Sequence, residues 1–244
     1  LSLVGSEMCI RDRVKRFVYA SSSAIYGNNP ALPKKESDVG RQLSPYAASK
    51  RTNELYAEAF SENYKIETVG LRYFNVFGPR QSPEGAYAAV IPKWIHSMAV
   101  GEPLHINGNG TTSRDFCFIK DVVQMNLLSA FAEEKHVNRV YNCALGEQTS
   151  LNELFAILKS EFASLKITTS VAKPELRPFR EGDILHSWAD IQDAEKLLGF
   201  KTQFSVEEGL RLTIPHFLPE PKEVKVEIQH SSPLDKAAAP QSEG

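Results

Sequence analysis

Residues 17–27 read FVYASSSAIYG, and residues 44–50 read SPYAASK. The first stretch is a short apolar run that passes into three serines. It predicts a buried parallel strand over residues 17–20 with a polar carboxyl end. In the second, Ser44 suits a helix N-cap and Pro45 the first helical position, so a helix is expected to about Tyr64. Residues 68–74 (TVGLRYF) read as a second buried strand, followed by Asn75.

The same pattern continues outward. A helix is expected over residues 87–100, stopped by Gly101. A strand is expected over residues 115–119, then a helix capped by Asp121 and reaching about Glu134, then a strand over residues 140–144. Ser150 with Glu153 forms a capping box for a helix to about Leu165. A short helix over residues 191–198 should end at Gly199. Ser205 with Glu208 opens a last helix that ends before Pro215. Gly108-Asn109-Gly110 lacks the third glycine of a phosphate loop and reads as a hairpin turn. Strands that alternate with helices imply an α/β fold with a mostly parallel sheet covered on both faces. Ligands of such sheets bind outside the carboxyl ends of the strands, where the serine run and Asn75 fall.

Composition narrows the classes. The 244 residues carry 28 Lys and Arg against 30 Asp and Glu, a net charge of −2. Nucleic acid and anionic membranes favour a basic excess, so neither is an expected partner. No apolar run approaches the roughly 18–20 residues of a membrane span. Cys9, Cys117 and Cys143 are too scattered for a disulfide framework, and the six histidines lack ligand spacing, so no metal is expected. A reducing cytoplasm is the default compartment. Residues 1–13 have neither helical nor strand period and resemble adapter-derived sequence in translated reads, so they are read as non-native. Residues 219–244 hold four prolines and no aromatic residue, which predicts a disordered tail, with Val224, Val226 and Ile228 as a weak edge strand at most.

Tyr46 and Lys50 lie one helical turn apart on one face. A tyrosine hydroxyl is a poor base at its ordinary pKa of about 10, and an ammonium within a few ångströms favours the phenolate. Alone, the pair also fits a solvated helix face. Ser22, 24 residues earlier at a strand end, makes it a catalytic candidate.

With that context the chain resembles the extended short-chain dehydrogenase/reductase family, specifically its nucleotide-sugar epimerases. YASSSAIYG, SPYAASK, LRYFNVFGPRQ, GAYAAVIPKWI, INGNGTTSRDF and FREGDILHSWAD follow one another in the family's order across residues 14–218. The resemblance implies a Rossmann-like doubly wound sheet with a smaller C-terminal substrate lobe. Residues 14–80 would form the later part of the Rossmann domain, with residues 104–144 partly returning to it. Residues 81–218 would be mainly the substrate lobe. Tyr46 would be the catalytic base, supported by Lys50, with Ser22 as proton relay and Ser23 as helper. Tyr46, Lys50, Tyr73 and Phe74 would face NAD. Ser22, Asn75, Ala89, Val90, Lys93, Arg114, Arg180, Asp183 and Ser187 would bind a UDP-sugar, the arginines suiting its phosphates. Ala89 and Val90 read nearly as well as the core face of a short helix.

The reaction implied is reversible inversion at C4 through a 4-keto sugar. Dehydratases and decarboxylases of the family place acidic groups where this chain has Ser23 and Ala24, so the local sequence favours epimerisation. Ser187 stands where a bulky residue would crowd the sugar's C2 group, which favours UDP-GlcNAc and UDP-GalNAc over UDP-glucose and UDP-galactose. The resemblance implies surface-polysaccharide precursors as a destination for such sugars. A homodimer is expected of the full-length form. None of the 14 glycines forms the family's GxxGxxG turn. The chain is therefore expected to be the C-terminal two-thirds of an epimerase, binding NAD poorly and not turning over by itself. A non-catalytic UDP-sugar-binding remnant is the other reading.

Overall fold

A computed structural model describes residues 14–84, 89–171, 173–179 and 184–218. Strand β1 (Arg16–Ser22) leads into a 3-10 turn over Ser23–Tyr26 and then helix α1 (Pro45–Tyr64). As SPYAASK predicts, the Ser44 hydroxyl accepts the Ala47 amide and Pro45 opens the helix. Next come β2 (Glu67–Tyr73), β3 (Asn75–Phe77), α2 (Val90–Val100) and β4 (His105–Asn107). They are followed by β5 (Ser113–Arg114), β6 (Phe116–Phe118), α3 (Ile119–Ala130) and β7 (Arg139–Cys143). The rest is β8 (Thr149–Ser150), α4 (Leu151–Ser164), β9 (Glu175–Arg177), α5 (Gln192–Leu198) and α6 (Val206–Thr213).

β1, β2 and β7 form a parallel sheet in the order β1-β2-β7, with Ser22 opposite Tyr73 and Tyr73 opposite Cys143. Their carboxyl ends are therefore level. Successive strand residues point to opposite faces. Arg72 reaches Glu54 on α1, and Tyr73 reaches Asn126 on α3. The two helices thus cover opposite faces, the doubly wound arrangement the alternation implies. β3–β6 and β4–β9 are further parallel pairs, and β5–β8 is antiparallel.

Among the described residues two large apolar cores result, with a small third around Tyr26, Phe74, Ala144 and Ala189. One lies under the sheet, around Val69, Leu71, Met125, Tyr141 and Phe200. The larger joins α2, α4 and α6 through Trp94, Ile95, Leu154, Phe162 and Leu210. Burying each such side chain contributes about 1.5–3 kcal/mol, which is what holds the short strands between them.

Some expectations are corrected. The strand expected over residues 115–119 is present but shorter, Phe116–Phe118: Asp115 stays outside it with its carboxylate turned inward to three backbone amides, and Ile119 already begins α3. Asp121 does not cap α3. It lies inside the first turn and accepts the amides of Gln203 and Phe204, joining α3 to the approach of α6. That helix stops at Ala130, and Glu134–His136 is a separate 3-10 turn. Gly108 and Gly110 do adopt positive φ, and Asn109 Oδ1 accepts the Thr111 amide. The turn makes no hairpin, since β4 pairs in parallel with β9. Both expected capping boxes are present. Residues 1–13, read above as non-native, and residues 219–244, read as a tail, lie outside the described residues.

Candidate active site

The serine run diverges at the end of β1. Ser21 donates its hydroxyl to Glu54 Oε1 at 2.6 Å. Ser22 accepts the Ala24 amide at 3.2 Å and caps the 3-10 turn that Ser23 begins. From the other side α1 presents Tyr46 and Lys50. Lys50 Nζ donates to the Ala20 carbonyl at 3.2 Å, two residues before Ser22, and lies 5.8 Å from the centroid of the Tyr46 ring. Tyr46 keeps 56% of its surface exposed. An anchored ammonium beside an accessible phenol is suited to proton transfer at a bound hydroxyl.

Beyond the adjacent strand end, Tyr73 donates to Asn126 Oδ1 at 2.9 Å, and burial raises its pKa. Phe74 is buried against Tyr26, with its amide on the Cys143 carbonyl at 3.1 Å. Both side chains are committed to packing, so contact with a cofactor would fall to their backbone.

Asn75 donates its amide and its Nδ2 to the Asp115 carbonyl, at 3.1 and 3.0 Å. Arg114 Nη1 donates to the carbonyls of Ser113 and Leu185. Ser113 also takes the Ser187 amide at 3.2 Å, gives its own amide to Leu185, and meets His186 Nδ1 at 2.8 Å through its hydroxyl. Asn75, Arg114 and Ser187 are thereby stitched to one short stretch of backbone. Ala89 and Val90 begin α2 half-buried, and exposed Lys93 follows one turn later. Val90 and Lys93 line a pocket of about 480 Å³ with Trp94, His105, Asn107 and Arg177. Arg180 and Asp183 lie outside the described residues.

Sequence reasoning missed Arg177, which stands three residues before the expected Arg180. It also missed Asp115. That buried carboxylate takes the amides of Leu145, Gly146 and Ala189 at 2.8, 3.0 and 3.1 Å. Burial pushes its pKa up to about 7, although the three donors favour the charged form. Asp115→Asn would set an NH₂ group against at least one of these amides. It is expected to lower stability by about 1–3 kcal/mol in urea unfolding. Unchanged stability would mean the three contacts are not holding the loops.

The description "NAD dependent epimerase/dehydratase family" matches residues 6–144. The chain belongs to that family. Among solved structures it resembles UDP-N-acetylglucosamine 4-epimerase from Methanobrevibacter ruminantium M1, in complex with UDP-N-acetylmuramic acid. Identity is 41%, the TM-score is 0.81, and coverage is 88% of this chain and 66% of that one. UDP-glucose 4-epimerase from Thermotoga maritima, with UDP-glucose, is 37% identical at TM-score 0.81, covering 88% and 67%. A putative UDP-glucose 4-epimerase of Methanocaldococcus jannaschii is 35% identical over 209 residues, 85% of this chain and 65% of its own length. The chain thus spans about two-thirds of these family members. Among the described residues no helix is long and apolar enough to cross a membrane.

Proposed function

We propose that the full-length protein inverts C4 of a UDP-hexose reversibly, with UDP-GlcNAc and UDP-GalNAc as the preferred pair. The observation that carries the reading is Lys50 tied to the end of β1 with accessible Tyr46 one turn away. In this reading Tyr46 removes the proton of the 4-hydroxyl, and the charge of Lys50 stabilises the phenolate that forms. Ser22 holds the sugar's 4-oxygen in place. The pocket beside Val90 and Lys93 takes the uridine, and Arg114 and Asn75 hold the diphosphate. An arginine fork suits phosphate oxygens.

The donor set also fits the nicotinamide end of NAD. An ammonium has three donors, and the Ala20 carbonyl takes one of those on Lys50, leaving others for a ribose. When bound there, the nicotinamide would supply the hydride acceptor and donor for C4, with Tyr46 and Lys50 placed to handle the hydroxyl proton. The sequence holds no GxxGxxG turn, so these 244 residues do not supply that cradle for the pyrophosphate.

The substrate preference rests on Ser187, a small side chain stitched beside Arg114, and is supported by the likeness to the Methanobrevibacter ruminantium enzyme. The test incubates the full-length protein with UDP-GlcNAc and follows UDP-GalNAc by anion-exchange chromatography. Absence of any C4 epimer from UDP-GlcNAc, UDP-glucose and UDP-glucuronate would overturn the reading. Ser187→Tyr is expected to lower kcat/KM about tenfold or more for the N-acetylated sugars and to leave UDP-glucose within about threefold. Equal losses on both would remove the size argument.

A further inference from the structure

Tyr46, Lys50 and Glu54 fall at successive turns of α1 and share one face. Glu54 is the buried member, 4% exposed. Its Oε1 accepts from Ser21 Oγ at 2.6 Å and from Arg72 Nε at 2.9 Å. Its Oε2 accepts from Arg72 Nη2 at 3.0 Å and from Arg51 Nη1 at 2.9 Å. Ser21 and Arg72 stand opposite each other on β1 and β2. One carboxylate therefore grips both strands, a residue before Ser22 on one and before Tyr73 on the other. Arg72 continues the chain through Nη1, which meets the Tyr26 hydroxyl at 3.2 Å and the Glu36 carbonyl at 2.6 Å. Tyr26 ends the turn that Ser22 caps and packs its ring against Phe74.

Four separate pieces of the candidate site thus converge on one ion pair: the end of β1, the turn after it, the end of β2, and the face of α1 that carries Tyr46. Burial alone would raise the Glu54 pKa, but the bonds from Arg72, Ser21 and Arg51 more than offset it and hold it below the usual range. A buried pair of this kind gives little net stability compared with apolar packing. Its geometry is what an apolar core would not reproduce.

We infer that Glu54 is a positioning residue whose carboxylate, clamped between Ser21 and Arg72, sets where Tyr46 and Lys50 meet the end of β1. The inference rests on the catalytic reading of Tyr46. Glu54→Gln keeps the shape and removes the charge. In the full-length protein loaded with NAD it is expected to lower kcat about 10- to 100-fold, with KM for the UDP-sugar within about threefold. Glu161→Gln is the comparison. Glu161 is also buried and takes a two-pronged arginine, Arg211 at 2.8 and 2.8 Å, but it joins α4 to α6 away from the sheet. That variant is expected to lose stability and keep kcat.

A second readout does not use turnover. With 3-fluorotyrosine at position 46, the ¹⁹F resonance of the UDP-bound protein is expected to shift or split in Glu54→Gln and to stay in place in Glu161→Gln. Should Glu54→Gln fail to fold, Ser21→Ala removes one clamp and leaves the ion pair; the same changes are expected at smaller size. Loss of stability with kcat and the ¹⁹F line at their wild-type values would overturn the positioning role. If Tyr46→Phe keeps full turnover, the catalytic reading fails instead, and the ¹⁹F comparison tells the two failures apart.

Discussion

Tyr46→Phe is expected to cut turnover of the full-length, NAD-loaded protein by about 10²- to 10⁴-fold, the usual share of a positioned acid or base. UDP-sugar affinity should stay within about threefold. The ring fills the same space without its hydroxyl, and the uridine and diphosphate contacts proposed above lie on other elements, at Val90, Lys93, Asn75 and Arg114. Lys50→Met should act in the same direction and also remove the tie to the Ala20 carbonyl, loosening α1 at the strand end. The measurement pairs steady-state kinetics with titration calorimetry using UDP-GlcNAc. A Tyr46→Phe protein that turns over normally would show that the proton leaves by another route. Equal loss of affinity and turnover would mean that the hydroxyl serves binding alone.

Much of this arrangement could be read from local signals, because the deciding contacts are local. Ser44 and Pro45 fix where α1 starts, and a rigid 3.6-residue period then brings Tyr46 and Lys50 to one face. The capping boxes of α4 and α6 close within four residues, so they were legible as well. The alternation of strand and helix carried the parallel sheet.

The rest depended on partners distant in the chain. Asp121 looked like a cap because its neighbours suit a helix start, yet its carboxylate answers amides 82 and 83 residues away. The Gly108–Gly110 turn looked like a hairpin because the partner of β4 is β9, far along the chain. Glu54 carries no local signal at all. It reads as a solvated helix charge until Ser21 and Arg72 arrive from two strands. Cys117 and Cys143, far apart in the sequence, are buried in the same core and remain free thiols.

Arg72→Met should show how much the molecule depends on such a distant contact. Arg72 is 1% exposed and supplies both prongs to Glu54. Removing one partner of a buried pair strands the other charge, at about 3–5 kcal/mol. Urea unfolding near neutral pH is expected to show a loss of that size. The pH dependence gives the cause away. In the wild type the folded-state pKa of Glu54 is depressed. Its contribution is therefore present above its unfolded value of about 4.3 and is lost as pH falls through the folded value. Without Arg72, burial dominates and the folded pKa rises above 4.3. The sign reverses, and protonation on acidification then relieves the variant. The gap between variant and wild type should narrow steadily from pH 7 toward pH 5. A constant gap would assign the loss to lost packing of the arginine stem. Glu54→Leu combined with Arg72→Met should recover most of the stability, because similarly sized apolar groups often replace a buried pair at no net cost. By the positioning argument, the same double variant should still turn over slowly. A stable sheet with a misplaced Tyr46 would separate what this ion pair does for the fold from what it does for the site.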